Sequence, residues 1–74
     1  MENEGYKRII ENLRGAIQES GMKQSAVAER IGKDPKTFSN IMCFRQRLAV
    51  EDIAPLCTAL NITPNRLYFG DVPA

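Results

Sequence analysis

Lys36, Thr37, Ser39 and Asn40 stand close together in the chain, and each can donate a hydrogen bond. Asn40 carries a donor and an acceptor side by side, the pair that matches the major-groove edge of adenine. Lys36 can donate to the acceptors of guanine, and Thr37 can bond a base or rest its methyl group on thymine. Shortly after them come Arg45 and Arg47, two cations suited to phosphate oxygens. Asp34 is the lone acid between Arg30 and Arg47. The chemistry available here is recognition of a nucleic-acid groove and its backbone.

Those side chains act together only if a rigid element holds them on one face. The segment from about Lys23 to Ile31 sends Val27, Ala28 and Ile31 to one side, with Gln24, Ser25, Glu29 and Arg30 outward. Gly32 follows, where a helix end wants a residue free to take positive φ. Asp34 and Pro35 then form an N-cap followed by the proline favoured at the first helical position. The segment Pro35 to Met42 turns Phe38, Ile41 and Met42 inward, which leaves Lys36, Thr37, Ser39 and Asn40 facing out. A helix, a glycine turn and a second helix with a small polar outer face are what a DNA-reading helix-turn-helix requires.

The rest of the chain predicts a support for that pair. A first helix from about Gly5 to Glu19 places Tyr6, Ile9, Ile10, Leu13, Ala16 and Ile17 at helical spacing, and Ser20-Gly21 stops it. Cys43 to Ala49 is a basic connection. A fourth helix, about Val50 to Leu60, points Ile53, Leu56, Cys57 and Leu60 inward and closes at Asn61. Pro55 interrupts it, so the helix either begins late or bends near its start. Thr63 and Pro64 repeat the cap-plus-proline signal and open a short last helix, Pro64 to Phe69, that Gly70 ends. The expectation is an all-α, compact five-helix fold in one domain over residues 1–74, with 1–4 and 71–74 as tails. A chain of 74 residues buries only roughly 60% of what its unfolded form exposes, which favours such a compact helical core.

Composition narrows the function classes. The chain has no histidine, and its two cysteines are far apart, so no metal site and no cofactor is expected. Without histidine or a glycine-rich phosphate loop, no general base pairs with a nucleophile, and the chain does not read as an enzyme. Cys57 falls on an apolar face and reads as core, while Cys43 ends the second helix of the pair and is placed at the surface. No apolar run approaches the ~18 residues of a membrane span. The polar, acidic start lacks the features of a signal peptide, so a soluble cytoplasmic protein is expected. Net charge is only +1, but residues 30–47 carry five bases against one acid. Positive charge therefore gathers on and after the candidate reading helix.

With the elements placed, the chain resembles the lambda-repressor-like helix-turn-helix family of phage repressors and Cro-type regulators. The residues that carry the likeness are Gly21-Met22-Lys23-Gln24, Val27-Ala28, Ile31-Gly32, Thr37-Phe38-Ser39 and Ile41, then Leu56 to Pro64. Together they span about Leu13 to Gly70. The resemblance implies that Lys36, Thr37 and Asn40 touch base edges. It also implies that Gln24, Ser39, Arg45 and Arg47 contact phosphates, with Gln24 bracing the reading helix as well. Three positions depart from the family pattern. Lys23 replaces the usual capping serine or threonine, Phe44 stands near a customary glycine, and Pro55 falls early in helix four. An aromatic residue resists positive φ, so the loop at Phe44 takes another path or the helix runs on. Phe44 is then a core plug, an exposed contact or part of a subunit interface.

The resemblance implies a sequence-specific transcriptional regulator on double-stranded DNA, bound as a homodimer on a pseudo-palindrome. Leu67, Tyr68 and Phe69 are the candidate dimer surface, although three apolar residues in a row cannot all face one side, and Tyr68 is the one expected outside. The alternative keeps the fold as a protein-interaction module, an antitoxin or anti-repressor partner, without sequence-specific DNA binding.

Overall fold

In a computed structural model, which describes residues 4–70, the apolar spacing near the N-terminus folds into one long helix, α1, Glu4–Ser20. It extends one residue beyond the expected span at each end. Of the tails expected at 1–4 and 71–74, residue 4 belongs to α1, and 1–3 and 71–74 lie outside the described residues. Ser20 ends α1 by donating its hydroxyl to the Ile17 carbonyl at 2.6 Å and accepting from the Met22 amide at 3.1 Å.

The next two helices are α2, Gln24–Arg30, and α3, Pro35–Met42. Lys23 precedes α2 in extended conformation and supplies no side-chain cap, as its residue type predicts. The close of α2 favours a glycine. Gly32 has φ +76°, the Lys33 amide reaches the Ala28 carbonyl at 2.9 Å, and the Gly32 amide reaches that of Glu29 at 3.1 Å.

The stretch expected as one helix from Val50 divides in two. A single 3-10 turn, Val50–Asp52, leads into α4, Ile53–Leu60. Pro55 thereby falls in the first turn of α4, where its missing N–H has no helical partner to lose. Asn61 ends the helix at φ 57°, ψ 47°, with the Ile62 amide bonded to the Cys57 carbonyl at 2.9 Å. The last helix, α5, is Pro64–Phe69. Thr63 holds the N-cap backbone conformation, but its hydroxyl makes no capping bond. Gly70 follows at φ 75°, ψ −160°, a region open in practice to glycine alone. A Cβ there would also stand 3.2 Å from Asn12 Oδ1.

All five helices contribute to one core, and no strand occurs among the described residues. Ile10, Leu13, Ala16 and Ile17 come from α1, Val27 and Ala28 from α2, and Phe38, Ile41 and Met42 from α3. Leu56, Cys57 and Leu60 of α4 and Leu67 of α5 complete it. Packing follows two lines: α1 lies against α5 and α4, while α2 lies against α3 and α4. The ion pairs among the described residues, Glu19–Arg66 at 2.7 Å and Lys33–Asp52 at 3.0 Å, join different elements. Lys7 and Glu11, one turn apart on α1, form no ion pair; holding two exposed side chains together costs entropy that solvent-screened charge barely offsets.

Candidate functional site

The polar face rests on α3, and α3 is secured at both ends. At its start the Asp34 carboxylate accepts from the Lys36 amide at 3.1 Å and the Thr37 amide at 3.4 Å. Burial of Phe38, Ile41 and Met42 then fixes the rotation of the helix. Lys36 and Asn40, four residues apart, stack on the outer side, with Thr37 and Ser39 on opposite flanks. Lys36 is exposed and the other three are half-buried, so the face is shallow and its polar tips stay accessible.

The far end of α3 carries the main departure from expectation. The helix stops at Met42, and Phe44 itself takes the left-handed conformation at φ 66°. Its amide bonds to the Ile41 carbonyl at 3.1 Å, and the Arg45 amide bonds to that of Asn40 at 2.9 Å. This is the doubly bonded helix end that Gly32 forms after α2, made here with an aromatic residue. The loop therefore neither takes another path nor extends the helix. A side chain in that conformation costs about 1–2 kcal/mol. Phe44 is no core plug either, being 44% exposed.

Two residues of α1 hold this end of the site. The Tyr6 hydroxyl accepts from the Leu48 amide at 2.7 Å and donates to the Gln46 carbonyl at 3.4 Å. The Arg47 guanidinium lies over the Tyr6 ring, 4.2 Å from its centre. Arg14 donates to the Met42 carbonyl at 2.6 Å, closing one of the carbonyls that the end of α3 leaves free. Tyr6 reads from sequence as one more apolar position of a helix, and no local pattern singles out Arg14. Their partners lie some 28 to 42 residues away, beyond any local pattern. The available hint is that a tyrosine at the edge of an apolar stripe carries a hydroxyl needing a partner.

The structure gathers the expected site residues unequally. Lys36, Thr37, Ser39 and Asn40 share α3, and Arg45 and Arg47 follow in the adjoining loop, both exposed. Gln24 opens α2, half-buried, and makes no hydrogen bond to α3 among the described residues. Lys33, counted by sequence among the local cations, faces Asp52 instead. Asp52 Oδ2 is a buried atom that no donor meets in aligned geometry, so the contact is one of charge and ties the α2–α3 turn to the start of α4. Burial pushes the Cys57 thiol above its ordinary value, keeping it neutral, whereas Cys43 is exposed at the end of α3.

Leu67 corrects part of the expected dimer surface. It is fully buried, so only Tyr68 and Phe69 of α5 remain outside, at 41% and 66% exposure. Their rings stand 6.4 Å apart. The Asn12 amide donates to the Leu67 carbonyl at 2.8 Å and the Arg66–Glu19 pair anchors the other side, so α1 holds both rings in place. No protein-family model matches the chain, and no curated protein matches it closely enough to be a relative. No helix among the described residues is long and apolar enough to cross a membrane.

Proposed function

We propose that the chain is a sequence-specific DNA-binding transcriptional regulator, a repressor or Cro-like switch of the lambda-repressor-like helix-turn-helix kind. In this reading α2 and α3 form the motif, and α3 enters the major groove. One observation carries it: an end-secured helix with a shallow face of Lys36, Thr37, Ser39 and Asn40, joined to a loop bearing Arg45 and Arg47, with no acid from Pro35 to Val50. Lys36, Thr37 and Asn40 read base edges, while Ser39, Arg45, Arg47 and the helix start at Gln24 meet phosphates. An eight-residue helix spans few base pairs, so two copies related by a two-fold axis supply the rest of the specificity, with Tyr68 and Phe69 at their contact.

The test is selection of bound duplexes from a random-sequence pool at about 0.15 M salt, with sedimentation measured on the purified protein. Enrichment of a pseudo-palindrome with half-sites about one helical turn apart is the expected result. A protein-interaction role on the same fold is the second reading, favoured by the net charge of +1 and the exposed Phe69. Failure to enrich any sequence, with no binding even at low salt, would decide for it.

A further inference from the structure

Five described residues have positive φ, and four of them are of types that accept it: Gly21, Gly32, Gly70 and Asn61. Phe44 is the exception. Strain of this kind persists where the side chain serves some purpose, and that purpose is not the core. Phe44 belongs neither to the buried cluster nor to the half-buried apolar residues packed against it, which include Tyr6, Leu48 and Ile53. The core closes without it, yet the backbone stays strained to present an aromatic ring at the surface. A glycine, which this chain uses to end α2, would form the same helix end at no such cost.

Its surroundings indicate what the ring meets. Phe44 directly precedes Arg45, follows the polar face of α3, and sits in a stretch from Pro35 to Val50 that contains Lys36, Arg45 and Arg47 and no acid. An apolar ring flanked by unopposed cations matches a surface that alternates anion and hydrocarbon. The sugar–phosphate strand of DNA has that pattern, with each deoxyribose offering a C–H edge between two phosphates. We propose that Phe44 is a DNA-backbone contact, its ring lying on a deoxyribose beside the phosphate that Arg45 engages. The proposal rests on the DNA-binding reading and adds to it a sequence-independent apolar contact near the place where the family resemblance customarily has a glycine.

The experiment compares the full chain with Phe44→Gly and Phe44→Ala. Each is titrated against a fluorescent random-sequence duplex of about 20 base pairs, roughly two helical turns, across a salt series, and melted in parallel. Glycine relieves the strain, so Phe44→Gly melts above the wild type; alanine keeps the strain and melts below the glycine variant. Both lose the ring, so both bind about tenfold more weakly. The slope of affinity against salt stays unchanged, because an apolar contact releases no counterions. Affinity within about twofold of wild type for both variants overturns the proposal while leaving DNA binding intact. Weak binding by glycine alone also overturns it, since chain flexibility and not the ring would then be the cause. A wild-type protein that binds no duplex at low salt overturns both this contact and the reading beneath it.

Discussion

Tyr6→Phe removes a single oxygen and leaves the ring beneath Arg47 in place. In the wild type that oxygen accepts from the Leu48 amide at 2.7 Å, a short bond at a half-buried position. Loss of an acceptor strands the donor, which costs about 1–3 kcal/mol when burial is complete. Water reaches Leu48 in part, so the lower range applies, about 1–1.5 kcal/mol. The bond to the Gln46 carbonyl, at 3.4 Å, lies beyond the usual range and adds little. A domain of this size loses about 4–8 °C of Tm per kcal/mol, so the variant should melt roughly 5–10 °C lower. The local signature is amide exchange at Leu48, slow in the wild type and fast in the variant. Loosening of the loop that carries Arg45 and Arg47 should also weaken binding to any duplex about three- to fivefold. An unchanged Tm together with unchanged exchange at Leu48 would refute the claim that α1 holds this loop through Tyr6.

The other expectations concern separate parts of the site. Asn40→Ala should lose about 1–3 kcal/mol on the preferred sequence and little on random DNA; an unaltered sequence preference on repeating the selection would show the reading face to be misassigned. Arg45→Ala should weaken all duplexes alike and flatten the salt slope by about one unit per contact removed, with an unchanged slope placing Arg45 away from the phosphates. Asp34→Ala strips the cap from α3 and should cost about 1 kcal/mol in denaturant unfolding; a midpoint equal to wild type would mean that Pro35 and core packing alone fix the helix start. A thiol reagent should label Cys43 at once and Cys57 only after unfolding. Because burial raises the Cys57 value, the protonated thiol is favoured in the folded state, and its contribution to stability is complete below about pH 8.5 and lost as pH climbs through the raised value. Alkaline unfolding that is unaltered in Cys57→Ala would contradict that contribution.

What the sequence reveals depends on how local the cause is. The bounds of α3 follow from Asp34, Pro35 and the spacing of Phe38, Ile41 and Met42, all within a few residues of one another, and the structure has those bounds. Pro55 marks the trouble near the start of the fourth helix, but the choice between a late start and a bend depends on where Val50–Asp52 pack, and the 3-10 turn settles it as a late start. Leu67, Tyr68 and Phe69 form a run without a pattern; only the docking of α5 on α1 turns Leu67 inward. Phe44 defeats the local rule outright. Its sterics argue against positive φ, whereas the paired bonds to Ile41 and Asn40, with Arg14 at the next carbonyl, hold the turn regardless. Helix-end bonds and a distant contact from α1 override residue preference at the loop next to the polar face of α3, and local preference prevails along the face itself.

The low net charge loses its force once the charges are placed. Lys33 is matched by Asp52 and Arg66 by Glu19, so two of the ten bases serve to join helices and offer little to a distant anion. Lys36, Arg45 and Arg47 meet no carboxylate among the described residues, and Arg47 lies on a ring that leaves its charge intact. The stretch from Pro35 to Val50 therefore projects three cations and no anion from one helix and the loop after it. Field at a surface falls off within about 8 Å in physiological salt. A phosphate approaching α3 accordingly responds to those nearby cations far more than to acids elsewhere on the molecule. Near-neutrality of the whole chain and a cationic face on α3 and its following loop are compatible, because each operates at a different distance.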